Sequence, residues 1–151
     1  MSYEQFLEEF YEETPQDIMK DVVCDKKKYY YDPKGNLEWC KQQGIDPVSV
    51  GRYLGEQKRN FRPSPFGVEL ASRNANKGVV LDEKGAWLFV CGRDIFARAV
   101  IGGEPEKGTA TFIYDLDNNL LGYGIWVVHT LKQKNQPAIM NKADKGLYLR
   151  A

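Results

Sequence analysis

Histidine is almost missing from this chain: His129 is the only one. A Cys-His or Ser-His pair would have to be built on that residue, and no nucleophile motif of the GxSxG kind accompanies it. Cysteine is scarce as well. Cys24, Cys40 and Cys91 are odd in number, far apart and never paired as CxxC, which argues against a disulfide framework. A zinc site would need all three together with His129, so the expectation is three reduced thiols and no metal. P-loop and GxGxxG signatures are lacking, and no cofactor is implied. No apolar run approaches the ~18 residues of a membrane span. The opening "MSYEQFLEEFYEE" is acidic and has no apolar signal-peptide core. These absences leave a non-catalytic, cytosolic chain without a membrane partner as the expectation.

What is present is an ordinary soluble composition, 42% hydrophobic and 28% charged over 151 residues. That length suits one domain or two small ones. The balance of 21 basic against 21 acidic side chains hides a segregation. Residues 4–21 hold Glu4, Glu8, Glu9, Glu12, Glu13, Asp17 and Asp21 against Lys20 alone. Residues 129–151 hold Lys132, Lys134, Lys142, Lys145 and Arg150 against Asp144 alone. Such asymmetry marks either a nucleic-acid surface concealed by the overall charge or two solvated faces.

Along the chain, "SYEQFLEEFYEE" places Phe6, Leu7 and Phe10 on one helical stripe, with Ser2 and Gln5 spaced as a capping box. Thr14 is the expected N-cap of a second helix, with Pro15 at its first position. "DVVCDKKKYYYDPKG" reads as two strands about a polar turn, "NLEWCKQQG" as a helix capped by Asn36, and "VSVGRYLGE" as a strand. "KRNFRPSPFG" reads as a proline-punctuated connection. The character changes near Ser72. "GVVLDEKGAWLFVCG" is expected to be a hairpin turning at Asp82 to Gly85. "GRDIFARAV" is expected to enter a short helix with Ile95, Phe96 and Ala99 facing the core. "TATFIYD" and "LLGYGIWVV" form a second hairpin across Asp117, Asn118 and Asn119. "PAIM" is a last short strand, and "DKGLYLR" a closing turn.

Gly122 and Gly124 interrupt the most apolar of these strands. Alternation puts them together with Leu120, Trp126 and Val128 on one face, opposite Leu121, Tyr123, Ile125 and Val127. A bare strip of backbone either lets a strand curl in a small barrel or admits a second backbone, protein or nucleic acid. The expectation is that the glycines make the barrel and recognition lies beside them.

"AWLFVCGRDIFARAV", "ATFIYDLDNNLLGYGIW" and the terminal "ADKGLYLR", in that order, resemble a PUA domain. Together with "PVSVGRYLGE" in the first half, the chain is similar to the Nip-seven family of large-subunit ribosome biogenesis factors. The resemblance implies an α+β protein: an N-terminal α/β pre-PUA domain at residues 1–73, then a C-terminal PUA-like β pseudo-barrel at residues 74–151. It implies a monomer that binds (pre-)rRNA without catalysis and meets ribosome assembly proteins through its N-terminal half. The compartment would be the cytoplasm, or the nucleolus in a eukaryote. In archaeal members of that family, basic residues contacting RNA cluster before the closing segment. Here Gln136, Pro137, Met140 and Ala143 occupy those positions, and Lys132, Lys134, Lys142 and Lys145 lie close by.

Unpaired RNA is held by cations on phosphates and flat groups on bases. The expected RNA-binding residues are Gly92, Arg93, Arg98, Lys132, Lys134, Lys142, Lys145 and Arg150. Arg93 is expected at a helix N-terminus, where exposed amides favour a phosphate, or else within a turn that Gly92 and Asp94 merely shape. The lysines form a phosphate-binding cluster or a solvated tail. Lys26 to Lys28 beside Tyr29 to Tyr31 form either a second stacking platform or a hairpin whose tyrosines fill a core. Two other roles keep these residues in use differently: a PUA module that targets a separate RNA-modifying enzyme such as a methyltransferase, and a protein scaffold acting through the acidic helix.

Overall fold

The structure is a computed structural model that describes residues 2–75 and 78–147. It divides into two compact units, Met1–Asn74 and Ala75–Ala151.

The first unit combines helices with an antiparallel meander. Helix α1 (Tyr3–Glu8) begins in the expected capping box, with Ser2 and Gln5 exchanging hydrogen bonds. Helix α2 (Gln16–Met19) is capped at Pro15 and receives no side-chain bond, so Thr14 does not play the part its identity suggested. Strands β1 (Val22–Asp25) and β2 (Lys28–Tyr31) pair across Lys26 and Lys27, both at positive φ, the geometry of a tight hairpin turn. Helix α3 (Asn36–Gln42) starts after Gly35, and its free amides at Asn36 and Leu37 go to the buried Asp32 carboxylate. Asp32 therefore caps this helix, not Asn36. Strand β3 (Arg52–Gln57) continues the sheet to β4 (Phe61–Pro63), in the order β1-β2-β3-β4. The proline-punctuated stretch is thus ordered: Ser64 caps helix α4 (Pro65–Ser72), with Pro65 at its first position. Tyr3, Phe6 and Phe61 stack against one another in the core, and Tyr3 donates to Gly67 O at 2.8 Å. Burial holds the Tyr3 hydroxyl well above its ordinary pKa. Tyr29 packs on Phe61, Tyr30 on Tyr53 and Tyr31 on Phe66, so the tyrosine run builds this core and is no stacking platform.

The second unit is a six-stranded sheet in the order β6-β10-β9-β8-β5-β7. Its strands are β5 (Gly78–Leu81), β6 (Ile95–Phe96), β7 (Val100–Gly102), β8 (Ala110–Tyr114), β9 (Leu120–Trp126) and β10 (Pro137–Asp144). The two edge strands, β6 and β7, are joined by a single 3-10 turn at Ala97–Ala99. Neighbours in the chain thus bring the edges of the sheet round to each other, giving the near-closed barrel of a PUA-like fold. Val79, Leu81, Phe89, Ile113, Trp126 and Ile139 fill it.

Three expectations change here. The first supposed hairpin is a strand and a helix: α5 (Glu83–Val90) follows β5 directly, because the Asp82 carboxylate accepts from Gly85 N at 2.7 Å and caps a helix. A short apolar run such as "AWLFV" fits either period, and the cap decides. No helix follows Gly92: β6 and the 3-10 turn stand there, and Phe96 is exposed while Ile95 enters the core. The last strand runs past "PAIM" to Asp144.

The glycines of β9 answer to the strand paired beside them. A Cβ on Gly122 would lie 2.0 Å from Ala143 O, and one on Gly124 2.5 Å from Met140 O. Both contacts are with the backbone of β10, where the register slips between Asn141 and Ala143 and leaves Lys142 as the extra residue of a bulge. A second slip, between Ile113 and Tyr114 on β8, leaves Leu121 unpaired there, so strict alternation fails and Leu121 and Trp126 both reach the core. The strip admits the chain's own backbone.

Candidate nucleic-acid interface

Helix α5 ends by design of its sequence. Gly92, at φ +87°, sends its N–H to Phe89 O at 2.9 Å, and Arg93 sends its own to Leu88 O at 3.1 Å. That pair of bonds is a Schellman close, which needs a left-handed residue and so a glycine. Arg93 therefore stands at a helix C-terminus, whose partial negative charge suits a cation. The expected N-terminal phosphate seat is absent, and Arg93 is left as an exposed guanidinium.

Around this turn lies a groove of about 770 Å³. Gly92, Arg93 and Arg98 line it, with Lys84 from the first turn of α5 and Phe96 from β6. Lys84 and Leu88 meet the groove together because they are four apart on one helical face. Two carboxylates also line it, and backbone amides occupy both: Asp82 holds Gly85 N, and Asp94 accepts from Asn141 N at 2.8 Å. Ion pairs such as Lys26–Asp46 and Lys58–Glu56 lie in the first unit, and none joins a described residue to Lys84, Arg93 or Arg98. Lys84, Arg93 and Arg98 thus keep their charges unpaired. The Arg98 guanidinium carbon sits 5.3 Å from the centre of the Phe96 ring, and its N–H reaches Asn135 Oδ1 at 3.3 Å.

The other expected residues are distributed unequally about this groove. Lys132 and Lys134 lie on the loop between β9 and β10, closed on itself by Gln136 Nε2 donating to Thr130 O at 3.0 Å. That loop is fastened to the groove wall by Ala97 N on Gln136 O at 2.9 Å and Arg98 N on Lys134 O at 3.0 Å. Lys142 projects from the β10 bulge next to Asn141, whose amide nitrogen bonds Phe89 O at 2.8 Å and Arg93 O at 3.4 Å. Lys145 is elsewhere. It follows the far end of β10, roughly 25 Å along the strand from Pro137. There its N–H bonds Leu121 O, and its charge helps lower the pKa of Asp115, an effect due first to the Asn119 side-chain hydrogen bond. Arg150 lies outside the described residues.

Lys84, Phe96 and Asn141 were not found from the sequence. Reading Asp82 to Gly85 as a helix start would have put Lys84 and Leu88 on one face. Nothing local marks Asn141, whose partners are about fifty residues distant. Among the described residues no group of three His, Cys, Asp or Glu could hold a metal, and no helix is long and apolar enough to cross a membrane.

Residues 77–151 match the UPF0113 PUA domain family. A UPF0113 protein from Archaeoglobus fulgidus is 32% identical over 111 residues, a match that takes in 70% of this chain and 64% of that protein. The fold resembles a conserved PUA domain protein from Thermoplasma acidophilum at a TM-score of 0.57, with 16% identity over 97% of this chain and 92% of the other. A looser likeness, TM-score 0.49 and 17% identity, is to a hypothetical protein from Pyrococcus horikoshii, over 86% of this chain and 78% of that one.

Proposed function

We propose, starting from a C-terminal unit that is a PUA domain of the UPF0113 type, that this protein binds RNA without catalysis and does so in ribosome biogenesis. The ligand is (pre-)rRNA during assembly of the large subunit, and the N-terminal unit meets ribosome assembly proteins. The observation that carries the reading is the groove in which Arg93, Arg98 and Lys84 stand unpaired while both neighbouring carboxylates are bonded to amides. A polyanion is the ligand that such a rim attracts, and arginine is the residue suited to grip a phosphate with two donors.

Lys132 and Lys134 extend the positive rim through the loop bonded to Arg98, and Lys142 extends it from the bulge beside the Arg93 turn. Gly92 contributes shape, letting the backbone turn under Arg93. Lys145 and Arg150 complete the set as contacts of a longer RNA.

Binding of a fluorescent large-subunit rRNA fragment by the full chain, followed against salt, tests this. Three to five neutralised phosphates give a slope of log K on log salt of roughly −2 to −3.5 for a single strand. Arg93→Glu with Arg98→Glu is expected to weaken binding severely and flatten that slope by at least about 1.4, with a melting transition that stays cooperative and loses no more than about 1 kcal/mol from the anion placed at the helix C-terminus. Salt-independent binding, or none, removes the reading.

A further inference from the structure

The groove holds one group that a phosphate site does not need. Phe96 is 41% exposed, while Phe89 and Phe112 of the same unit are 0% and 1% exposed. Alternation explains how it comes to be outside: β6 has two residues, and with Ile95 in the core Phe96 must face out. Alternation does not explain why the outward position carries an aromatic ring. Beside the ring, Leu88, Ile95, Ala99 and Pro137 give the groove an apolar floor, with the cations at its rim. Arg98 lies against Phe96 at 5.3 Å and is steadied through Asn135, so a flat cation and a flat ring stand together.

We infer that this groove takes an unpaired nucleotide, its base laid on Phe96 beside Arg98 and its phosphates on Arg93 and Lys84. The inference rests on the RNA-binding reading above and narrows its ligand from RNA to single-stranded RNA. Phosphates alone gain nothing from an apolar floor; a nucleobase has a π-face that stacks on an aromatic ring whatever its sequence. An intact A-form duplex offers no such face, since its bases are stacked on one another and its major groove is too deep and narrow for side chains to read. A cavity of about 770 Å³ is also within the usual range for a small-molecule cleft.

The test uses the full chain and two probes: a short single strand taken from a large-subunit rRNA precursor, and the same strand annealed to its complement. The single strand is expected to bind at least tenfold more tightly at one salt concentration. Phe96→Ala should weaken single-strand binding by roughly five- to a hundred-fold, leave duplex binding and the melting temperature unchanged, and be rescued by Phe96→Trp. Equal affinity for both probes, or single-strand binding indifferent to Phe96→Ala, overturns the inference while RNA binding stands. Failure of the unaltered chain to bind either probe overturns the RNA reading and this inference with it.

Discussion

Each unit of this protein sets an arginine over a phenylalanine, and the two pairs do different things. In the first unit the Arg52 guanidinium carbon is 3.5 Å from the centre of the Phe66 ring, with Arg73 at 5.6 Å, and that ring is only 9% exposed. Tyr31 packs on it as well. In the second unit Arg98 stands 5.3 Å from a ring that is 41% exposed and lines a groove. The same chemical pair closes a core in one place and leaves a surface open in the other. Position in the fold causes the difference: Phe66 sits on a helix face turned to the sheet, whereas Phe96 is the outward residue of a two-residue edge strand.

That contrast is broken most sharply at the backbone, where each unit has a glycine against a neighbouring carbonyl. A Cβ at Gly122 or at Gly67 would stand 2.0 Å from a backbone oxygen, Ala143 O in one case and Leu54 O in the other. Gly122→Val and Gly67→Val are each expected to cost more than about 4 kcal/mol, the range of severe core disruption, read as loss of the cooperative thermal transition of the altered unit. A wild-type transition in either variant would show that the backbone contact is not as close as described. Next comes the pair itself. Phe66→Ala should cost about 3–5 kcal/mol, as for other buried aromatic truncations, whereas Phe96→Ala should stay within about 0.5 kcal/mol, as for an exposed site. Equal losses in denaturant titration would erase the distinction between sealed and open rings.

Smaller effects belong to the helix caps. Ser64 accepts from Gly67 N at 2.9 Å in the first unit and Asp82 from Gly85 N at 2.7 Å in the second. Ser64→Ala and Asp82→Ala should each lower stability by about 1 kcal/mol. Least in size is a pH effect in the β8–β9 turn. Asp115 accepts from Asn119 Nδ2, Asn119 N and Asp117 N at 3.0, 2.8 and 2.9 Å, and these bonds, the Asn119 side chain's first, hold its carboxyl below the usual range. Its contribution is therefore complete above the ordinary carboxylate pKa and disappears as pH falls through the lowered value. Protection of the Asn119 amide, taken relative to its intrinsic exchange rate at each pH, should fall in that acid window, and Asp115→Ala should abolish the fall.

Much of this was legible from residues alone. The capping box at Ser2 and Gln5, the β1–β2 hairpin about a polar turn and the β8–β9 hairpin across Asp117 to Asn119 follow from local chemistry, and the barrel from the resemblance of the second half to a known domain. What failed did so for identifiable reasons. A five-residue apolar run fits a strand and a helix equally, and only the distance from Asp82 to Gly85 separated them. Gly92 ends a helix where its sequence suggests the start of one, since a glycine turn looks alike from either side. The alternation of β9 was broken by bulges whose cause lies in β8 and β10, beyond the reach of any local window. The clustered lysines illustrate the limit for sites. Lys134 and Lys145 are eleven positions apart in sequence, yet β10 carries them to opposite ends of a strand.

The central claim is that the groove about Arg93, Phe96 and Arg98 is where RNA sits. Photo-crosslinking is the direct measurement, with a 4-thiouridine-substituted large-subunit rRNA fragment bound to the full chain and the crosslinked peptides mapped by mass spectrometry. Crosslinks concentrated in residues 92–98 and 132–142 are the expected result. Crosslinks confined to the first unit, or to the β8–β9 hairpin, would contradict it.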